Sequence, residues 1–119
     1  MTAPFIAQLN AVQNGSEAFI RPSGWTDIVQ STATHAEYDL VAARVAMGLP
    51  AGFPLLVIFS ADGPFWANFF NNAAVPSGNI TNGTGSEFSP NQRALGAAVS
   101  KISLVSANNC NVSMQFFTQ

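Results

Sequence analysis

The stretch Phe53-Pro-Leu-Leu-Val-Ile-Phe-Ser60, followed by Ala61-Asp62-Gly63 and then by Pro64-Phe-Trp-Ala-Asn-Phe-Phe70, decides the fold. Its first run is apolar at every position from 55 to 59, which is typical of a strand covered on both faces. Its second run carries aromatic rings on both faces of a strand. Because Asp-Gly is a turn signal, the pattern predicts a central hairpin.

Further strand patterns lie on both sides of this stretch. They fall at residues 3–13, 25–30, 36–41, 87–88, 101–107 and 110–117. Asn108-Asn109 predicts a type I′ turn that joins the last two strands into a hairpin, since Asn tolerates positive φ. Seven or eight short strands between turns predict an all-β fold, an antiparallel β-sandwich or jelly roll, as a single domain over residues 1–119.

The segment from 35 to 49 has two interpretations. In the first, Thr34 caps a helix over residues 37–47 that Gly48 and Pro50 terminate. In the second, a strand over 36–41 leads into one short helical turn near residues 42–47. We favour the second, because the helix propensity of an Ala-rich segment is a weak prior.

The long segment from 71 to 92 is rich in Asn, Gly, Ser and Pro and predicts the longest loop. A loop of this length in a small domain is normally functional or is ordered by a neighbour. Rings on both faces of 65–70 need cover from this loop or from another subunit. We therefore predict an interface from seven apolar residues: Phe65, Trp66, Phe69, Phe70, Val75, Ile80 and Phe88.

Composition narrows the classes of partner. Charged residues make up 8% of the 119 residues, against about 25% in an average soluble domain, and the net charge is −2. Nucleic acid is therefore an unfavourable partner, because its affinity depends on Lys and Arg at phosphates. Interface cores are depleted in charge, so the composition favours a protein that works inside an assembly.

Two segments, residues 1–9 and 40–59, can be considered as an export signal and a membrane span. Residues 1–9 lack the basic and apolar regions of a signal peptide, so we expect synthesis in a cytoplasm. Residues 40–59 are hydrophobic, but Arg44, two Gly and two Pro interrupt them, which argues against a membrane span.

No set of residues predicts catalysis. His35 is the one histidine, and no pattern places it near a nucleophile. Glu37 and Asp39 would share a strand face as solvated residues, and a lone Asp62 supplies too few oxygens for calcium. Cys110 has no disulfide partner and is expected to pack in the core. We expect no enzyme activity, no catalytic residue, no metal site and no cofactor.

Three segments carry a family resemblance: Ala74-Val-Pro-Ser-Gly-Asn-Ile-Thr-Asn-Gly-Thr-Gly-Ser-Glu-Phe-Ser-Pro90, Ile102-Ser-Leu-Val-Ser-Ala107 and Cys110-Asn-Val-Ser-Met-Gln-Phe-Phe117. They resemble the C-terminal half of small virion proteins encoded by tailed bacteriophages. The resemblance implies a β-sandwich or jelly roll that decorates and cements the capsid, commonly as a trimer. It implies two partners, the major capsid protein and further copies of the chain, and no catalytic residue.

Two functional hypotheses follow. The first is a phage structural protein, a capsid decoration (cement) protein that is assembled in the host cytoplasm, becomes part of the virion and stabilises the head. The alternative is a carbohydrate- or receptor-binding module of a virion or tail, with Trp25, Tyr38 or Trp66 as the platform on which a sugar stacks.

Overall fold

The structure is a computed structural model that describes residues 21–118, with side chains from Gly24 onward. The predicted strand at 3–13 and its Asn14-Gly15 turn lie outside the described residues. Eight strands and one helix form the described part: β1 Arg21–Ser31, β2 Ala36–Asp39, α1 Leu40–Ala46, β3 Leu55–Ala61, β4 Trp66–Asn68, β5 Glu87–Phe88, β6 Gln92–Leu95, β7 Lys101–Val105 and β8 Cys110–Thr118.

The strands form two four-stranded antiparallel sheets. The first sheet has the order β1-β8-β3-β6 and the second has the order β2-β7-β4-β5. Apart from β4 and β5, strands adjacent in sequence lie in opposite sheets. This order is that of an eight-stranded jelly roll, in which connections repeatedly cross between the two layers. The predicted all-β sandwich is confirmed.

The predicted central hairpin is wrong, although both of its strands are present. β3 lies in the first sheet between β6 and β8, whereas β4 lies in the second sheet between β5 and β7. Asp62-Gly63 is thus a crossover between layers. The rings explain the arrangement: Phe59 packs across the interior against Phe65 and Phe69, with ring centroids 5.7 and 6.2 Å away. Because β3 and β4 lie in facing sheets, the apolar side of each strand is buried in the same core.

The predicted terminal hairpin is also wrong. β7 pairs with β2 and β4, while β8 pairs with β1 and β3. Within residues 21–118, Ser89 is the one non-glycine residue with positive φ, so Asn108-Asn109 does not form the type I′ turn. The alternation of the second arm is correct, because Val112, Met114 and Phe116 are buried, whereas residues 102–105 of the first arm are buried on both faces. Alternation identifies the buried face of a strand but not its neighbour.

Strand β2 followed by helix α1 confirms the favoured interpretation of residues 35–49. The helix starts at Leu40, slightly earlier than predicted, and spans seven residues. Its N-cap is Asp39, whose Oδ1 accepts hydrogen bonds from the amides of Val41 and Ala42 at 2.9 and 3.1 Å.

One strand, β6, and the start of another, β1, were not predicted. β6 carries no alternation, since its first three residues are exposed. β1 begins at Arg21 and continues through Pro22 and Gly24 with a shift of register between Pro22 and Trp25. Gly24 has φ +78°, which glycine adopts without strain, so a turn-like sequence is held within a bulged strand.

The core lies between the sheets and contains aliphatic and aromatic side chains from every strand longer than two residues except β1 and β2, which contribute partly buried residues. Polar contacts join the sheets along both open sides of the sandwich. On one side Arg93 of β6 pairs with Glu87 of β5 at 2.6 Å. On the other, Tyr38 of β2 donates a hydrogen bond to Asp27 of β1. The two outer faces of the sandwich therefore remain as the broad surfaces for contact.

Candidate protein-interaction surfaces

The aromatic residues predicted as an interface divide into two groups. Phe65 and Phe69 are 2% and 8% exposed and belong to the core, where they face Phe59. Trp66 points to the outer side of the second sheet and packs against Phe88 of β5, with ring centroids 4.9 Å apart. Phe70, just past the end of β4, is 66% exposed. Only the second group can contact another molecule.

Asn68 organises the surface around these rings. It is buried, and its Nδ2 lies 3.2 Å from the carbonyl oxygens of Thr84 and Gly85. Its Oδ1 accepts from the amides of Phe70 and Asn71 at 3.1 and 2.9 Å. One side chain thus fixes both ends of the long loop, since it binds the residues that leave β4 and those that enter β5.

The loop places its apolar residues around this amide. Ile80 lies against Gly85, and Val75 follows Ala74, whose amide donates to Ser86 Oγ at 3.1 Å. Val75, Ile80 and Phe88 are 42%, 44% and 58% exposed. The residues Trp66, Phe70, Val75, Ile80 and Phe88 are called the aromatic–loop surface below. Four of these five are among the seven large apolar side chains that are exposed within residues 24–118.

The loop also covers part of the second sheet. The amide of Ala73 donates to Ser103 Oγ of β7 at 2.8 Å, and Lys101 Nζ lies 3.3 Å from Asn72 Oδ1. Residues 72 and 73, at the start of the loop, thus contact β7 on the outer face of the second sheet. The chain's own loop therefore covers Asn68 and Ser103. It leaves the aromatic–loop surface exposed.

A second surface is the outer face of the first sheet. The registers place twelve residues on it: Thr26, Ile28, Gln30, Leu56, Ile58, Ser60, Gln92, Ala94, Asn111, Ser113, Gln115 and Phe117. At one end, Leu56, Ala94 and Phe117 join Phe53 and Pro54 around a groove of about 350 Å³. The consecutive apolar run of β3 is thus half covered: Leu55, Val57 and Phe59 are buried, but Leu56 and Ile58 are only partly so.

Among the residues whose side chains are described, the outward strand positions of this face carry no charged side chain. Asp27 shares the register of buried Met114 and points inward. Glu37 and Lys101 form an ion pair at 3.1 Å on the second sheet. Asp62 lies at the rim, where its carboxylate accepts from Asn111 N and Nδ2 at 2.8 and 3.2 Å. A charge-free outer face costs little to desolvate, because Gln, Ser and Thr can exchange water for hydrogen bonds to a partner.

The residues of the sugar-stacking hypothesis are engaged within the chain. Tyr38 stacks on Phe116 at 5.7 Å and donates to Asp27, to whose Oδ2 Trp25 Nε1 also donates at 2.9 Å. Burial raises the pKa of Tyr38 well above its usual range, and the hydrogen bond and charge of Asp27 raise it further. Trp25 also lines a pocket of about 200 Å³ with Met47 and Leu49.

The other residues considered as candidates for catalysis or metal binding lie apart from one another or make contacts that stabilise the fold. His35 is exposed in the β1–β2 connection, and Cys110 is buried with Sγ 3.7 Å from the Pro64 carbonyl. Glu37 pairs with Lys101, and Asp39 caps α1. Within residues 21–118 the structure brings no three His, Cys, Asp or Glu side chains together as metal ligands. The same part of the chain contains no helix with the length and apolarity to span a membrane.

Sequence reasoning missed two features of these surfaces. Asn68 sits in an aromatic run, and nothing in its neighbours distinguishes a loop-fixing amide from a solvated one. The charge-free face is formed by four strands distant in sequence, so it emerges only once their order is known. The sequence contains one part of this signal, because none of the alternate positions 56, 58 and 60 or 111, 113, 115 and 117 is ionisable. Comparison of the chain with protein-family models, with curated proteins and with solved structures finds no match.

Proposed function

We propose that the chain is a structural protein of a bacteriophage virion, a decoration (cement) protein that binds the assembled capsid and stabilises it. The observation that carries this proposal is the aromatic–loop surface, whose exposed rings and aliphatic side chains are held by the hydrogen bonds of one buried amide. Aromatic side chains presented in this way are typical anchors of protein interfaces. The resemblance of residues 74–90, 102–107 and 110–117 to small virion proteins supports the choice of the capsid as partner.

Stabilisation would follow from mass action. A protein that binds the assembled lattice and not its free subunits lowers the free energy of the assembled state by its binding free energy. Copies that contact one another on neighbouring sites would bind more tightly than a single copy, because each bound copy raises the effective concentration of the next. Jelly rolls are common in viral capsid proteins, and this analogy of fold also favours the proposal without identifying a partner.

Copies of the chain would meet through the outer face of the first sheet. A symmetric contact places residues near its axis against themselves, so a charge there would face a like charge. The strand positions on this face are uncharged. The projected area of this face is on the order of 400 Å², since its four strands lie about 4.8 Å apart and are about seven residues long. The accessible area is larger, because side chains protrude from the sheet. Specific interfaces start near about 600 Å² per partner, so we expect self-association that depends on concentration.

Capsid binding tests the proposal. Heads lacking the protein would be prepared from the phage whose genome carries the gene, mixed with purified chain and sedimented. We expect the chain to co-sediment with expanded heads and to raise the temperature at which they release DNA. Phe70→Ser with Phe88→Ser should remove binding, whereas Val45→Ser on α1, 73% exposed, should not. Absence of the chain from purified virions by mass spectrometry would contradict the proposal.

A carbohydrate- or receptor-binding module of a virion or tail is the second candidate. The pocket beside Trp25 favours it, because a partly buried indole at a concave site can stack on a sugar. A glycan array read together with Trp fluorescence separates the two functions. Sugar-dependent quenching that Trp25→Phe removes, with Trp66→Phe as the matched control, would favour this candidate.

A further inference from the structure

The exposed tip of the long loop contains a sequence that can modify itself. The chain has two Asn-Gly pairs, Asn14-Gly15 and Asn82-Gly83, and the structure describes the second. Asn82 and Gly83 are exposed, and Gly83 has φ +86°. Because glycine has no side chain, its amide nitrogen is open to approach by the preceding Asn side chain. Every other asparagine in residues 21–118 is followed by a residue with a Cβ, which shields that nitrogen.

Thr84 places two donors on the oxygen where charge would develop. Asn82 Oδ1 accepts from Thr84 N at 3.2 Å and from Thr84 Oγ1 at 2.6 Å. When the Gly83 nitrogen attacks Asn82 Cγ, the tetrahedral intermediate carries negative charge on Oδ1. Donors that already point at that oxygen stabilise the intermediate, as they do in an oxyanion hole.

We propose that Asn82 is a site of self-catalysed deamidation and that Thr84 accelerates the reaction. The Gly83 amide gives its proton to hydroxide, and the nitrogen forms a bond to Asn82 Cγ. The Cγ–Nδ2 bond then breaks, and Nδ2 takes a proton from water and leaves as ammonia, which gives a five-membered imide. Water adds to either imide carbonyl and opens the ring to aspartate or isoaspartate. The reaction needs only water and hydroxide.

The product changes the aromatic–loop surface. A new carboxylate appears two residues from Ile80 and two from Thr84, whose carbonyl is one of the groups that bind Asn68. One negative charge is added to a chain whose net charge is −2. The isoaspartate product also lengthens the backbone of the loop by one methylene. The negative charge on this surface therefore increases with time after synthesis, whatever partner binds there.

Peptide mapping of the intact protein tests the inference. Wild-type protein is incubated at mildly alkaline pH and sampled over time, and digestion with mass spectrometry separates the Asn82 peptide from the Asn14 peptide. We expect aspartate and isoaspartate to accumulate at Asn82, while Asn79, exposed and followed by Ile80, stays unchanged. Thr84→Val should slow conversion roughly tenfold, less than the hundredfold or more of a buried oxyanion hole. Thr84→Ser, which keeps the hydroxyl, should convert at the wild-type rate.

Two results would overturn the inference. One is conversion of Asn82 no faster than that of Asn79. The other is a Thr84→Val rate equal to or above the wild-type rate. Equal denaturation midpoints for wild type, Thr84→Val and Thr84→Ser exclude unfolding as the cause of a difference, and a variant that unfolds is replaced by Thr84→Ala.

Discussion

Arg44 is a buried cation whose partners within residues 21–118 are backbone carbonyls and not carboxylates. It is 2% exposed, and its Nε, Nη1 and Nη2 donate to the carbonyls of Phe53, Val99 and Gly96 at 2.9, 3.0 and 3.1 Å. The guanidinium has a planar set of donors that a lysine ammonium cannot reproduce. The side chain thus joins α1 to two loops at one end of the sandwich.

We expect Arg44→Ala to lower the free energy of unfolding by about 3 kcal/mol, because three backbone carbonyls, including that of buried Val99, lose their donor and the core loses a buried side chain. Arg44→Lys should lie between the alanine variant and wild type. Chemical denaturation measures both. Arg93→Ala is the matched control, since its ion pair with Glu87 is about half exposed and contributes less than about 1 kcal/mol. Equal losses for Arg44→Ala and Arg93→Ala would show that the carbonyl contacts do not stabilise the fold.

Tyr38 gives the fold a pH dependence at alkaline pH. Burial is the largest single cause of its raised pKa, and the hydrogen bond and the negative charge of Asp27 raise it further. A group whose pKa is higher in the folded state contributes stability that is complete below its unfolded pKa, about 10, and is lost as pH rises toward the folded pKa. We therefore expect the free energy of unfolding to fall above about pH 10.

Tyr38 is the chain's one tyrosine, so phenolate absorbance reports this group alone. Folded protein should titrate at higher pH than denatured protein. Asp27→Asn should lower the midpoint in part, because burial remains. Tyr38→Phe should flatten the alkaline decline in stability. A folded-state titration at the ordinary tyrosine pKa would mean that the hydroxyl is solvated.

Among strands and loops, the connection from β4 to β5 depends on Asn68. Asn68→Asp keeps the shape and the acceptor oxygen but replaces the donor nitrogen with an oxygen that faces the carbonyls of Thr84 and Gly85. We expect faster hydrogen exchange over residues 71–86 and a loss of about 2 kcal/mol in the free energy of unfolding. Asn72→Asp is the control, because its side chain is exposed and faces Lys101. Unchanged exchange in Asn68→Asp would contradict the role of this amide.

Strand positions could be predicted from the sequence more fully than strand partners. The inward and outward alternation of β8 follows from the period of two, so its buried residues were predicted correctly. The apolar run of β3 predicted cover on both faces, but Leu56 and Ile58 on its outer face are only partly buried. The neighbours of the strands were not predicted correctly, because Asp62-Gly63 and Asn108-Asn109 are turn signals that serve crossovers as well as hairpins. The preference for facing layers comes from ring packing such as that of Phe59 with Phe65, which no local pattern encodes.

The same limit applies to the interface prediction. Val75, Ile80 and Phe88 were singled out from a polar loop with few apolar residues and Phe70 from the aromatic run at 65–70, and all four are exposed. Phe65 and Phe69 were grouped with them because alternation shows that two faces differ without showing which one is inside. The structure decides this point, because β4 lies between β5 and β7 with Ala67 facing the core.

Within residues 24–118 the sandwich presents two apolar surfaces on different sides, and the outward strand positions of one of them carry no charged side chain. Gln115 and Ile58 are cross-strand neighbours near the centre of that face. A charge at this point would meet its own copy across a symmetric contact. Gln115→Glu adds that charge with little change of shape, and Asn109→Asp adds the same charge in the exposed turn before β8, outside the outward strand positions of the face.

Sedimentation equilibrium of the wild-type chain beside these two variants tests most directly whether the protein is built to be covered by another polypeptide. We expect wild type and Asn109→Asp to associate as concentration rises, and Gln115→Glu to remain monomeric at the same concentrations. A wild-type chain that stays monomeric throughout the range would contradict the account.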